Sequence, residues 1–286
     1  MNNLKPRGNI NSGHYSTRII MLNRRFKANR PKIVGSTDIT PYWQVVEKII
    51  RESDVVLEVL DARMPELSRN EEIEDKVKKN GKELIFILNK SDLVPQLYLK
   101  KIKKLPGKVF FLSAKDSYGM DKLRGYIFAL SKKYENIKVG VLGYPNTGKS
   151  SIINSLVRKK KSPVSSRAGT THGPQWVSMK ENILIIDSPG VIPLKENDEL
   201  RFALIGSRNP ERLKNKELVA CKIIDLFIDK KNLFDYYGIN IDSNNAEEIM
   251  EEIGRKRGFL KKGGVIDETR VSFEIIRDWQ SGRLRL

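Results

Sequence analysis

The segment 143–150, GYPNTGKS, carries two glycines and a Lys-Ser pair at the spacing of a phosphate-binding loop. Gly143 and Gly148 would allow the tight turn that points successive backbone N–H groups at phosphate oxygens. Lys149 is predicted to reach the β- and γ-phosphates of a nucleotide, and the Ser150 hydroxyl is predicted to ligate Mg²⁺. The other loop residues that we expect to contact the nucleotide are Tyr144, Pro145, Asn146, Thr147, Gly148 and Ser151.

Residues 89–92, NKSD, have the types and spacing that select guanine, and we assign the choice of base to Asn89 and Asp92. The Asp92 carboxylate can accept hydrogen bonds from guanine N1–H and from the 2-amino group. Adenine offers neither donor there, so it would leave a buried carboxylate unpaired at a high cost in free energy. Lys90 is predicted to lie along the plane of the base in a cation–π contact.

The triplet 113–115, SAK, is the companion that such a guanine motif requires. Ala114 is predicted to offer its backbone N–H to guanine O6, with Ser113 and Lys115 on either side of it. A strand-like apolar run precedes this triplet, as one precedes each of the two motifs above. This shared context at strand ends argues against a chance match.

The segment 187–190, DSPG, has the form of the motif on the magnesium side of such a site. Asp187 is predicted to hold Mg²⁺, directly or through water, and Gly190 would let its backbone N–H approach the γ-phosphate. Thr170 and Thr171 lie in a polar stretch, and Thr171 is the one that we expect to complete the magnesium coordination. A solvated threonine pair is the alternative.

The residue that would orient the attacking water is missing from its usual position. Many GTPases place a Gln directly after the glycine of the magnesium-side motif, but here that position holds Val191. Hydrolysis is therefore expected to use another group, or to be slow until a partner supplies one. The two histidines, His14 and His172, are candidates for this group, and the alternative for each is an ordinary solvated histidine. The predicted catalytic set is Lys149, Thr171, Gly190 and His14.

Charge is the most informative bulk property of the 286 residues. Lys and Arg number 53 against 35 Asp and Glu, which gives a formal net charge of +18, and residues 1–37 contain no acid. This excess predicts a polyanionic partner, most often nucleic acid, with a solvated basic surface or an organelle transit peptide as alternatives. The single cysteine, Cys221, excludes an internal disulfide. The lack of a long apolar stretch or a signal-like start predicts a cytoplasmic protein without a membrane partner.

The periodicity of apolar residues predicts an α/β fold. Strand-like runs at 54–60, 84–88, 109–112, 139–142, 175–179 and 183–186 indicate a doubly wound, mostly parallel six-stranded sheet, with the last two runs as a hairpin. Helical patterns follow at 216–231, 245–255 and 269–281. We therefore predict a basic arm with the first helix over 1–45, a nucleotide-binding domain over 46–195 and a small helical domain over 196–286.

The order of the motifs is unusual, because the guanine motif and its companion precede the phosphate loop. With 61–65, DARMP, and 169–171, GTT, this order resembles the circularly permuted GTPases of the YlqF/YawG ribosome-assembly family, over residues 40–195. The resemblance implies a circularly permuted P-loop NTPase fold and a factor for assembly of the large ribosomal subunit, with GTP or GDP as ligand and rRNA as the polyanion. It also implies potassium held partly by Asn146, and a catalytic histidine in the N-terminal segment, for which His14 is the candidate.

Two functions from different classes remain open at this point. The first is a slow, monomeric GTPase that binds rRNA through basic N- and C-terminal regions and hydrolyses GTP faster on the assembling particle. The second is a GTP-dependent RNA-binding scaffold in which hydrolysis is incidental. The sequence after Gly190 leads directly into the helical part, so nucleotide state is expected to reposition the RNA-binding surface.

Overall fold

The computed structural model describes residues 40–102, 105–157, 175–187, 198–227 and 229–286. The strands are β1 (Val55–Asp61), β2 (Glu83–Asn89), β3 (Lys108–Phe111), β4 (Ile137–Leu142), β5 (Gln175–Lys180) and β6 (Ile183–Asp187). The helices are α1 (Thr40–Glu52), α2 (Pro65–Ser68), α3 (Glu71–Lys79), α4 (Gln96–Lys101), α5 (Met120–Ser131), α6 (Lys149–Val157), α7 (Glu199–Leu204), α8 (Lys216–Leu226), α9 (Lys231–Tyr237), α10 (Ala246–Arg257) and α11 (Glu268–Ser281). Short 3₁₀ helices cover Ser91–Leu93 and Pro210–Arg212.

The six strands form one sheet in the order β3-β2-β1-β4-β6-β5. Five strands run parallel, and β5 pairs antiparallel with β6 through a turn at 181–182. The prediction of a mostly parallel six-stranded sheet with a terminal hairpin is confirmed. β1 is buried along its whole length, because it lies at the centre of the sheet and helices cover both of its faces.

Alternate residues of β1 pack against different helices, as the two-residue period of a strand requires. Val55, Leu57 and Val59 belong to a hydrophobic cluster with α5 and α6. Val56 packs with α1 and α3 on the opposite face. Leu60, near the carboxyl end, belongs to a third cluster that includes the helices after residue 198. The central strand is thus held on both faces, which sets the position of the loops at its carboxyl end.

Helices α7 to α11 are joined to the sheet by that third cluster. It contains Leu60, Phe86 and Leu88 from the sheet together with Ile275 and Trp279 from α11. The helical part and the sheet therefore share a core, and the boundary expected at 195/196 stays a prediction. Among the helices in the described residues, none has the length and apolar character needed to cross a membrane.

The prediction of a single helix over 216–231 was wrong. In the structure α8 ends at Leu226, and a second helix, α9, begins at Lys231. The chain leaves the helical conformation at 227, and Lys230 has a left-handed backbone with φ of 53°. The buried ammonium of Lys230 donates to the Ile224 carbonyl at 2.7 Å, which satisfies a carbonyl at the end of α8. This tertiary arrangement overrides a pattern that continues smoothly along the sequence.

Candidate functional site

The predicted guanine and phosphate motifs lie together at the carboxyl edge of the sheet. β2 ends at Asn89, and residues 113–115 come just after β3. The phosphate loop, residues 143–150, follows β4 and includes the first two residues of α6. Because β2, β1 and β4 are neighbours in the sheet, the motifs converge although they are permuted along the chain. Ligands of open α/β sheets bind outside this edge.

A cavity of about 710 Å³ opens beside the guanine motif, and Asp92 and Ser113 are among the residues that line it. Its volume is within the range of sites that accept small molecules such as a purine nucleotide. The Ser113 N–H donates to the Tyr118 carbonyl at 3.1 Å, and the Ser113 hydroxyl accepts the Asp116 N–H at 3.2 Å. These bonds fix the turn that carries Ala114, whereas Lys115 is exposed.

Asn89 joins the guanine side of the site to the phosphate loop. Its side chain is 3% exposed, and it donates from Nδ2 to the Thr147 carbonyl at 2.8 Å. Its Oδ1 accepts the Ala114 N–H at 3.0 Å. Gly148 must be glycine, because its φ is +99° and a Cβ there would lie 2.1 Å from Asn89 Nδ2. The Ala114 N–H is also the donor predicted to reach guanine O6, so a bound base would have to share it with Asn89.

The phosphate loop is closed by hydrogen bonds to its own carbonyls. Lys149 Nζ donates to the carbonyls of Gly143 and Tyr144, both at 2.9 Å, and Thr147 Oγ1 also donates to Tyr144 O at 2.9 Å. α6 begins at Lys149, so its free N–H groups and the positive end of its dipole lie at the loop. The arrangement suits an anion, for which Lys149 would exchange loop carbonyls for phosphate oxygens.

Two of the predicted magnesium ligands have described positions next to this loop. Ser150 lies in the first turn of α6, and β6 ends at Asp187, whose backbone is in register with Val141 of the neighbouring β4. Hydroxyl and carboxylate oxygens are donors that Mg²⁺ prefers, so the residues fit the ion. The remaining predicted residues, Thr171, Gly190 and His14, and also His172, lie outside the described residues, and their roles stay predictions.

A buried ion network that sequence reasoning missed lies beneath Lys90. Asp61 ends β1 opposite Asn89 in the sheet, and its Oδ2 accepts Lys90 Nζ at 2.8 Å. Arg63 binds the same carboxylate through Nε at 3.0 Å and through Nη2 at 2.8 Å. The Arg63 guanidinium also lies 4.1 Å from the ring centroid of Trp279 in α11. The acid at the end of β1, within the segment 61–65, was the one available signal in the sequence.

The pKa shifts in this network follow from burial and from the two cations around one carboxylate. Burial by itself would raise the pKa of Asp61, but Arg63 and Lys90 hold that pKa well below its usual range. Burial lowers the pKa of Lys90, the negative charge of Asp61 opposes this shift, and the positive charge of Arg63 adds to it. The low pKa of Asp61 agrees with the three short contacts that Arg63 and Lys90 make to its carboxylate.

Asp61→Asn should lower the free energy of unfolding by about 3–5 kcal/mol, because it leaves the buried Arg63 and the partly buried Lys90 without their anion. The folded-state pKa of Asp61 lies below the unfolded-state value of about 4, so this stabilisation is complete above that value and is lost as pH falls further. Urea unfolding at neutral and acidic pH measures both effects. Asp121→Asn is the control, because the Asp121 side chain is 88% exposed in its pair with Arg124. Equal losses in the two variants would contradict the assignment.

The turn after α7 contacts the phosphate loop, which sequence reasoning also missed. Asn146 Nδ2 donates to the Gly206 carbonyl at 2.6 Å, and Ser207 Oγ donates to the Pro145 carbonyl at 3.0 Å. These partners are 60 and 62 residues apart in the chain. No spacing or composition signal indicates such contacts, because they follow from how α7 packs on the sheet. The helical part is thus in direct contact with the predicted nucleotide site.

Comparisons with known protein sequences agree with this geometry. The family described as "50S ribosome-binding GTPase" matches residues 138–260. An uncharacterized GTP-binding protein of Methanocaldococcus jannaschii is 42% identical over 249 residues, which cover 85% of this chain and 66% of that protein. Nucleolar GTP-binding protein 2 of Saccharomyces cerevisiae is 35% identical over 259 residues, which cover 85% of this chain and 52% of that protein. The chain therefore spans between about half and two thirds of the length of these relatives.

Solved structures show the same likeness in three dimensions. A GDP-bound YlqF structure superposes with a TM-score of 0.58 at 26% identity, covering 84% of this chain and 95% of that chain. GNP-bound YlqF from T. maritima superposes with a TM-score of 0.57 at 25% identity, covering 86% of this chain and 95% of that chain. Relatives, fold and order of motifs agree, and the chain belongs to the circularly permuted GTPases of the YlqF type.

Proposed function

We propose that this protein binds and hydrolyses GTP and acts in the assembly of the large ribosomal subunit, with rRNA as its partner. The observation that carries the proposal is Asn89, whose side chain connects the guanine motif to Thr147 of the phosphate loop and to Ala114. This connection holds base-reading and phosphate-binding groups at a fixed separation, as recognition of a whole guanine nucleotide requires. The names of the matching family and of the nucleolar relatives support the ribosomal part of the proposal.

Positioning and charge compensation would account for the hydrolysis. The loop N–H groups and the start of α6 would hold the β- and γ-phosphates, and Lys149 would neutralise part of their charge. Mg²⁺, held by Ser150, Asp187 and Thr171, would supply further charge compensation at these phosphates. Gly190 would add a backbone N–H at the γ-phosphate. Each of these groups lowers the energy of the transition state without itself reacting.

The proposed mechanism also includes a group that orients the attacking water and a monovalent cation. Val191 cannot orient water, so the reaction should be slow in the free protein, and His14 is the proposed replacement. Asn146 uses its Nδ2 to bind the Gly206 carbonyl at 2.6 Å, which leaves the amide oxygen available to K⁺. A cation at this position would add positive charge beside the phosphates, and we therefore propose that potassium stimulates hydrolysis.

The proposed RNA contact of the helical part is a basic hairpin, residues 260–266, at the end of α10. Lys261 and Lys262 lie at its tip, where the Lys261 N–H donates to the Val265 carbonyl at 2.7 Å. Residues 198–286 carry 17 basic and 16 acidic side chains, but residues 253–266 carry five basic side chains and no acid. Arg255, Arg257 and Lys261 pair with Glu251, Glu274 and Asp267, and Lys262 is exposed at the tip of the hairpin. An exposed lysine in a stretch without acids suits contact with a phosphate backbone. The basic N-terminal arm would supply a second contact.

GTP hydrolysis should rise at least about tenfold when purified large ribosomal subunits are added, because a catalytic group supplied by a partner contributes more than this in other GTPases. The rate should also be higher in potassium than in sodium buffer. Single-turnover rates with and without subunits, in each buffer, measure both effects. No acceleration, with GTP binding intact, would favour the alternative of a GTP-dependent RNA-binding scaffold in which hydrolysis is incidental.

The basic hairpin provides the matched control for this experiment. Replacement of Lys261 and Lys262 by Ala should weaken the acceleration and leave the basal rate unchanged, because the bonds of Lys261 are to Val265, Gly264 and Asp267, within or next to the hairpin. Replacement of Lys132 and Lys133, an exposed pair after α5, should have little effect. RNA binding should also weaken as salt rises, since phosphate contacts release counterions. A flat salt profile would contradict the proposed role of the basic regions.

Location and oligomeric state are separate from this proposal. The relative from Saccharomyces cerevisiae carries the word nucleolar in its name, which describes that protein. For this chain, a cytoplasmic location, a monomer and the absence of a membrane partner stay predictions. None of the three changes the chemistry of the site.

A further inference from the structure

The residues at the end of α11 pack against the loop that is proposed to read guanine. We call residues 89–93 the guanine loop and residues 278–286 the support segment. The Leu286 N–H donates to the Leu93 carbonyl at 3.0 Å, and Gly282 lies directly against the Leu93 side chain. Leu93 is 4% exposed, so this packing is dry. Leu93 directly follows Asp92, the residue whose carboxylate is assigned to the base.

Within the guanine loop, Asp92 lies in the short 3₁₀ helix Ser91–Leu93. Lys90 adopts a left-handed conformation with φ of 62°, which a lysine rarely adopts without constraint. The Ser91 N–H donates to the Leu112 carbonyl at 3.0 Å, and the Leu93 N–H donates to the Lys90 carbonyl at 3.0 Å. The orientation of Asp92 within this single 3₁₀ turn therefore depends on where Leu93 is held.

The support segment also reaches the other end of the guanine loop. The Trp279 carbonyl accepts a hydrogen bond from Arg63 Nη1, and the Trp279 ring packs on the same guanidinium. Arg63 in turn shares the Asp61 carboxylate with Lys90. One helix end thus supports both Lys90 and Leu93, the residues on either side of Ser91 and Asp92.

We propose that residues 278–286 are a positioning segment for guanine recognition, in which Gly282 sets the place of Leu93 and Trp279 sets that of Lys90 through Arg63. The segment aligns the Asp92 carboxylate with guanine N1–H and the 2-amino group. This inference rests on the proposed function, because it requires that Asp92 reads the base. It gives the helical part a role in base selectivity that is independent of any contact with RNA.

Gly282 and Gly258 form a matched pair for testing the proposal. Both end a helix in the left-handed conformation, with φ of 75° and 67°. A Cβ on Gly282 would lie 3.0 Å from Leu93 Cδ1, whereas a Cβ on Gly258 would meet nothing within 4 Å. Alanine introduces similar backbone strain at both positions. Only Gly282→Ala also displaces Leu93.

The measurement is the ratio of the affinities for GDP and for IDP, whose base lacks the 2-amino group. The parent should prefer GDP, Gly282→Ala should lower this preference about fivefold through misalignment of a hydrogen bond to a carboxylate, and Gly258→Ala should leave it unchanged. A disturbance of the phosphate side, or a general loss of stability, would weaken both nucleotides equally and leave the ratio as it was.

Leu93→Val supplies the second variant. The methyl group that Gly282→Ala introduces would press on the Leu93 side chain, and valine is shorter than leucine. Combined with Gly282→Ala it should restore the preference for GDP, and alone it should lower the preference by loosening the same contact. The single variant also serves as the test if Gly282→Ala does not fold. Unchanged ratios in Gly282→Ala and Leu93→Val would overturn the inference. A parent that binds GDP no better than IDP would overturn the proposed guanine site instead.

Discussion

Asp92→Asn should change the preferred base from guanine to xanthine. The asparagine amide can still accept N1–H through its oxygen, but its NH₂ group faces the guanine 2-amino group, so two donors oppose each other. Xanthine carries a carbonyl at this position, which accepts from that NH₂ group. We expect the affinity for GTP to fall on the order of 100-fold or more, and the affinity for XTP to rise, because the cost is that of an unpaired polar group in the site.

Competition binding with GTP, XTP and ATP measures this exchange of specificity. Asp116→Asn is the control, because Asp116 lines the same cavity and can keep its bond to Ser113 as an asparagine. It should leave the preference for guanine in place. Equal affinity of Asp92→Asn and the parent for GTP would show that the base is read by other residues.

Lys149→Ala should reduce both GTP affinity and hydrolysis on the order of 100-fold or more, because it removes the one side-chain cation of the phosphate loop. The variant also loses the hydrogen bonds from Lys149 Nζ to Gly143 O and Tyr144 O, so the loop should be less ordered without nucleotide. The parent should gain thermal stability when GTP is added, since a ligand that binds only the folded state raises Tm. The variant should gain little.

Lys122→Ala provides the reference for this comparison. Lys122 is an exposed residue of α5, and its loss removes one positive charge without touching the phosphate loop. Its GTP-dependent rise in Tm should match that of the parent. A rise of the same size in Lys149→Ala would contradict the assignment of this lysine to the phosphates.

Much of the sheet was predictable because the patterns that specify it are local. The run predicted at 84–88 became β2, Glu83–Asn89, and that at 139–142 became β4, Ile137–Leu142. A buried parallel strand requires a continuous apolar run, and a turn must follow at its carboxyl end. The phosphate loop and the guanine motif were recognisable for the same reason, since their chemistry depends on residue types at fixed short spacings.

Other features depended on contacts that local patterns do not encode. The helical periodicity of 216–231 continues through residues 227–230, yet Lys230 turns the chain and caps α8 at Ile224. Asn89 was predicted to help select the base, and the structure shows in addition that it connects Thr147 and Ala114. Neither result follows from spacing, because each requires two segments to meet in space.

The sequence by itself determined the motifs and the order that marks the permutation, and from them it predicted a phosphate loop and a guanine-selecting carboxylate. Only the tertiary structure decided what holds these groups in place, namely Asp61 and Arg63 beneath Lys90, Gly206 against Asn146, and residues 278–286 against Leu93. The physical reason is the separation along the chain. Arg63 and Trp279 are 216 residues apart, and their contact exists only because α11 and β1 bury their apolar surfaces in a common core.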